Sequence, residues 1–156
     1  MKIYVDGSCS KNGYFPNTGG FGVVAVDDDD NLITTYREQE NNTTNNRQEI
    51  KAIIYALRHY GAKPGQSPPE VYSDSNLCVQ TFNIWMYNWE RNGWIKSSDN
   101  KPPENLDLIK EYYNLIQEGY RINLIKIKGH YGHKWNEMAD RLAVMRDEGE
   151  NNETLI

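Results

Sequence analysis

Cysteine is almost missing from this chain: Cys9 and Cys78 are the two among 156 residues, and they do not form a CxxC spacing. That excludes a disulfide framework and a thiolate zinc site, and it points to a reducing, cytoplasmic setting. Long apolar runs are missing as well, with nothing near the roughly 18 residues of a membrane span. The opening MKIYVDGS holds no apolar signal segment and goes directly into strand-like alternation. Histidine is scarce, at three residues, and positive charge is in deficit, with 17 Lys and Arg against 22 Asp and Glu for a net charge of −5.

The deficit is local. Residues 27–30 are four consecutive aspartates, and Asp147, Glu148, Glu150 and Glu153 crowd the last ten residues. Without those eight acids, 14 remain against 17 cations, an excess of three positive charges, so a polyanionic partner is compatible with the remainder. Both acidic segments read as solvated features, a tight turn and a flexible tail over 147–156. What is present, 38% hydrophobic and 25% charged residues in a chain of this length, fits a single soluble domain, here assigned to residues 1–146.

Periodicity supplies the elements. Residues 2–6 alternate, with Ile3 and Val5 on one face and Tyr4 and Asp6 on the other, which predicts a half-buried strand. Residues 19–26 and 32–38 predict a hairpin around the aspartate turn. Residues 41–46 offer several helix N-caps, and a helix is expected from Arg47 to about Gly61. A short strand follows at 70–74, a helix at 77–89, an irregular stretch at 91–103, a helix at 106–117, a strand at 122–127 and a last helix at about 134–146. The order β-β-β-α-β-α-α-β-α predicts an α/β domain with a mixed sheet, an antiparallel meander joined to parallel strands by helical crossovers.

Four acids stand where they are expensive or well placed: Asp6 on the first strand, Glu49 in the first turns of the first helix, Asp74 at the end of the fourth strand, and Asp140 near the opening of the last helix. Carboxylates brought together raise each other's pKa unless a cation neutralises them. Hard oxygen donors of this kind suit Mg²⁺, with Mn²⁺ as a substitute. Two such ions roughly 4 Å apart stabilise both the attacking water and the leaving oxygen of an in-line phosphodiester displacement.

Segments carrying these acids, YVDGSC, TTNNRQEIKAI, YSDSN and KGHYGHKWNEMADRLA, resemble in order and spacing those of a bacterial-type type 1 ribonuclease H, from residue 2 to about residue 145. The resemblance implies a ribonuclease H-like fold, a five-stranded mixed sheet with strands 1–3 antiparallel and strands 1, 4 and 5 parallel. It implies Asp6, Glu49, Asp74 and Asp140 as the ligands of two Mg²⁺ ions. It also implies endonucleolytic cleavage of the RNA strand of RNA–DNA hybrids, leaving 5′-phosphate and 3′-hydroxyl ends. In the KGHYGH loop, a zinc pair would need further imidazole or thiolate ligands. An imidazole near the metals can instead pass protons to a leaving group or aid product release. The family pattern gives this auxiliary role to His130, while His133 is expected to steady the loop.

Choosing RNA opposite DNA requires sensing 2′-hydroxyls on one strand and their absence on the other. The resemblance places Cys9, Asn12, Asn45, Glu49 and Asn76 along the RNA minor-groove side, with Asn46 bridging toward the other strand. The segment WMYNWERNGW, followed by K-P and N-x-D-L, is similar to the substrate-binding protrusion, or handle, of bacterial members. It points to Trp85, Asn88 and Trp89 on the DNA strand, as flat stacking surfaces, and to Thr44 and Asn105 on a DNA phosphate. The handle departs from basic family examples: Arg91, Lys96 and Lys101 are balanced by Glu90, Asp99 and Glu104. Weak hybrid binding with shallow salt dependence is therefore expected. Integrases, transposases and junction resolvases are set aside by the TTNNRQE segment, the histidine loop and the handle. A non-catalytic binding module is set aside because all four carboxylates are present. A free-standing monomer, with no membrane and no obligate protein partner, is expected in preference to a polyprotein or phage-derived fragment.

Overall fold

The computed structural model describes residues 1–128 and 133–145. Its sheet has the strand order β3-β2-β1-β4-β5. In chain order the elements are β1 (Lys2–Cys9), β2 (Thr18–Val26), β3 (Leu32–Asn41), α1 (Asn45–Tyr60), β4 (Glu70–Ser73), α2 (Asn76–Gln80), a π-helical turn (Thr81–Trp85), α3 (Met86–Arg91), α4 (Leu106–Gln117), β5 (Asn123–Lys126) and α5 (Lys134–Val144). β1 pairs antiparallel with β2, and β2 with β3, whereas β1–β4 and β4–β5 are parallel. This is the mixed sheet that the element order predicts.

Alternation along β1 distributes its side chains between two cores. Ile3 and Val5 join Ile50, Ile53 and Leu57 of α1 and the buried face of α4, while Tyr4 joins Trp135, Ala139 and Leu142 of α5. β1 is therefore buried on both faces, not half-buried as its alternation predicts, because α5 covers the face that carries Tyr4 and Asp6.

Two glycines set how closely the helices approach. An added Cβ at Gly7 would lie 2.2 Å from the backbone nitrogen of Glu49, so its absence lets the first turns of α1 sit directly on β1. At Gly22, the cross-strand partner of Asp6, a Cβ would lie 2.4 Å from the carbonyl oxygen of Ala139, so α5 rests on β2 one residue from Asp140.

Other features are local. Thr44 caps α1, its Oγ1 accepting from Arg47 N at 3.1 Å. The helix expected at 77–89 is three pieces, with the π turn interrupting it and Ile84 left exposed. Asp74 lies just past the end of β4, and Asp140 is in the second turn of α5, not at its opening. The aspartate turn is only partly a solvated feature: Asp30 accepts a 2.6 Å hydrogen bond from the Trp135 indole, and Asp27 Oδ1 accepts from the backbone of Asp29 and Asn31. One acid of that turn thus anchors α5.

Candidate active site

The acids converge toward the carboxyl ends of β1 and β4. Asp6 is in the middle of β1, two residues past its last pairing with β4 at Tyr4, Asp74 follows β4, and Glu49 on α1 meets the backbone of Gly7. One oxygen from each of these three carboxylates lies within 4.8 Å of the others. Glu49 is held by Gly7 N at 2.7 Å on Oε2 and by the Ser73 hydroxyl at 2.7 Å on Oε1. Asp140, exposed on α5, comes within hydrogen-bonding reach of Asp6 and lines the same cavity of about 430 Å³. The lining of that cavity contains all four carboxylates and, among the described residues, no basic side chain.

The electrostatics follow from this crowding. Burial pushes the Asp6 carboxyl well above the ordinary carboxylate range, and the charge of Glu49, the hydrogen bond with Asp140 and the charge of Asp74 push it further. Glu49 rises to about 7, chiefly by burial, against the pull of its Ser73 and Gly7 hydrogen bonds. Like charges this close, with no side-chain cation among the described residues lining the cavity, fit a divalent cation as counter-charge.

Beside the acids runs a groove of about 630 Å³. Trp85 and Trp89, with ring centroids 6.1 Å apart, form one wall, and Asn46, Cys78, Asn88 and Lys96 also line it. A third structural cluster adjoins it. Arg47 Nη1 donates to Asn105 Oδ1 at 3.2 Å, while the guanidinium makes a two-point contact with Asp107 at 3.0 and 2.6 Å. Asn105 stands at φ 60°, a left-handed conformation that asparagine tolerates, and it caps nothing with its side chain.

The family model for RNase H matches residues 1–147 of this sequence. The chain belongs to the RNase H family. It is an enzyme of that family, an endonuclease. Ribonuclease H of Caldanaerobacter subterraneus subsp. tengcongensis is 39% identical over 144 residues, covering 92% of this chain and 88% of that protein. Among solved structures, LC9-RNase H1, a type 1 RNase H with the type 2 active-site motif, is 31% identical with a TM-score of 0.73, over 92% of this chain and 69% of that one. LC11-RNase H1 in complex with RNA/DNA hybrid is 26% identical with a TM-score of 0.64, over 91% and 92%.

Of the RNase H residues expected from sequence, the fold gathers some and scatters others. Asp6, Glu49, Asp74, Asp140, Asn45 and Asn46 line one cavity, and Asn46, Trp85, Asn88 and Trp89 line the groove. Thr44 and Asn105, 61 positions apart in sequence, are both bonded to Arg47, whose role the sequence pattern did not single out. Its signal was the Arg47 and Asp107 charges, visible only as unpaired letters. Asn12 is used structurally, its Oδ1 accepting from Asn45 N at 2.9 Å. Cys9 is buried, its Sγ donating to the Thr43 carbonyl at 3.4 Å, and it lines neither cavity. Asn76 is exposed at the start of α2, also outside both linings. His133 precedes α5 with its ring 4.8 Å from that of Tyr4, while His130 and the tail over 147–156 lie outside the described residues.

Proposed function

We propose that this RNase H cleaves the RNA strand of RNA–DNA hybrids by hydrolysis, leaving 5′-phosphate and 3′-hydroxyl ends, with Asp6, Glu49, Asp74 and Asp140 holding two Mg²⁺ ions. The observation that carries the reading is the convergence of these carboxylates beside an aromatic-walled groove. The bound ions would supply charge stabilisation for the attacking water and the leaving oxygen. The chain's own residues do the rest. Gly7 N and the Ser73 hydroxyl fix the Glu49 carboxylate by one oxygen each, so that its orientation is set before substrate arrives.

Trp85 and Trp89 offer flat surfaces to the DNA strand without reading its sequence. Thr44 and Asn105, gathered by Arg47, would hold a DNA phosphate. Asn45 and Asn46 stand between the acids and the groove, the place where a minor groove would lie. His130 is assigned, from the KGHYGH resemblance, the passing of a proton at the leaving oxygen. Replacing it with alanine should lower kcat by on the order of 10²-fold with little change in KM.

The deciding experiment is cleavage of an end-labelled hybrid beside matched RNA–RNA and DNA–DNA duplexes, with Mg²⁺, with Mn²⁺ and with chelator. Cutting of RNA in the hybrid alone, lost with chelator, supports the reading, and a polymerase-extendable 3′ end on the product supports the end chemistry. An intact hybrid with either metal would overturn it in favour of a binding module, and cutting of DNA would favour an integrase-like activity.

A further inference from the structure

Asn46 and Leu77 are the residues shared by the linings of the acid cavity and the groove, and Asn46 is the polar one. A carboxamide at that junction has two ends of nearly the same shape. Its oxygen accepts and its nitrogen donates, and a half-turn about the last side-chain bond exchanges them. The choice matters for a nucleic-acid duplex. The minor groove presents acceptors at every base pair but a donor only at G·C. A side chain that serves any sequence must therefore show the groove its NH₂.

The structure contains a group that makes this choice. Cys78 Sγ donates to Asn46 Oδ1 at 3.2 Å; both residues line the groove, and Cys78 also belongs to the larger hydrophobic core. Cys78 is 1% exposed, on α2, with its own backbone N–H donating to the Ser75 hydroxyl at 3.1 Å, so its position is fixed from two directions. Burial pushes the thiol up to about 12, which keeps it a donor throughout the neutral range.

We propose that Cys78 is a positioning residue for substrate recognition: its thiol engages Oδ1 of Asn46 and leaves the NH₂ group facing the cleft, where it donates to base acceptors in the minor groove of the hybrid. The proposal rests on the hybrid-cleaving function proposed above. It also gives the second cysteine of a cysteine-poor chain a reason to be cysteine. Valine would fill the same space without a donor.

The test compares Cys78→Val, which fills the site with a slightly larger apolar side chain and removes the donor, with Cys78→Ser, which restores one. Cys78→Val should raise KM for hybrid by about 3- to 10-fold, the effect of one modest hydrogen bond, with kcat little changed. Cys78→Ser should return most of that loss. In an Asn46→Ala background, Cys78→Val should add nothing. In the substrate-free protein, the Asn46 side-chain NH₂ resonances should move and broaden with valine and be retained with serine. Unchanged KM and unchanged resonances in Cys78→Val would overturn the proposal. So would a KM increase that persists in the Asn46→Ala background, since that would report packing alone. A wild-type protein that leaves hybrids intact would overturn the functional reading instead, and the Asn46 resonances would still decide the role of the thiol.

Discussion

Asp6 and Glu49 hold their protons more tightly in the folded chain than in the unfolded one, with Glu49 at about 7 and Asp6 also well above the ordinary range. A carboxyl with a raised folded pKa contributes stability at low pH and loses it as pH rises. The loss begins near the unfolded value of about 4 and continues through the folded one. Metal-free protein should therefore lose stability from about pH 4 upward at this site, through about pH 7 for Glu49 and on above it for Asp6, and Mg²⁺ should return it. Melting curves from pH 5 to pH 8 in chelator, wild type against Asp6→Asn, isolate the effect. The asparagine variant should be more stable near pH 7.5, by on the order of 1–3 kcal/mol, and its pH dependence flatter. The same substitution should reduce hybrid cleavage by on the order of 10³-fold or more, the scale of losing a group that handles transition-state charge. A variant that is both less stable in chelator and active would contradict the electrostatic account.

Elements are brought into catalytic register by contacts a few ångströms wide. α5 carries Asp140 and rests on Gly22 with no space for a methyl group, a prospective Cβ meeting both Ala139 O at 2.4 Å and Leu142 Cβ at 2.6 Å. Gly22→Ala must lift the helix. The expected cost is about 1–3 kcal/mol of stability, or a fall in Tm of roughly 2–4 °C for each kcal/mol. Cleavage should fall further than the unfolded fraction explains, because the displaced helix takes Asp140 away from Asp6. Activity measured well below Tm separates the two effects, and a variant with full kcat would show that α5 tolerates the shift. The π turn at Thr81–Trp85 belongs to the same scale. It lies in the helix that brings Trp85 and Trp89 to the groove while Phe82 and Met86 stay buried.

Across the whole molecule, charge governs how phosphates are met. Cations on the substrate side are engaged before substrate arrives: Lys96 with Asp99 at 3.1 Å, Arg47 with Asp107 at 2.6 Å, and Arg91 with the Asn88 side chain. A phosphate must compete with the two carboxylates and the carboxamide, so fewer counterions are released for a given footprint. Binding of a non-cleavable hybrid, followed by anisotropy from low to physiological salt, should give a log–log slope shallower than about 3 in magnitude. Asp99→Asn frees Lys96 and should steepen that slope by about one unit while tightening binding. A slope near that of a strongly basic RNase H, unmoved by Asp99→Asn, would remove this explanation.

The sequence by itself determined the element order, the two-faced alternation of β1, the mixed sheet and the identity of the four acids. Each of these depends on local periodicity or on residue types that a chemistry requires at recognisable spacings. Tertiary structure alone decided the rest. That β1 is buried on both faces depends on α5, more than a hundred residues away. That Asp140 meets the other acids from a second helical turn depends on Gly22 admitting that helix. Asp30 becomes an anchor only because Trp135 folds back onto it at 2.6 Å. The Arg47 side chain reaches Asn105, and Cys78 meets Asn46, through contacts between separate elements that no spacing along the chain encodes. Periodicity reports which face a residue takes, but a hydrogen bond across the core is set by where two elements stop relative to each other, and packing decides that.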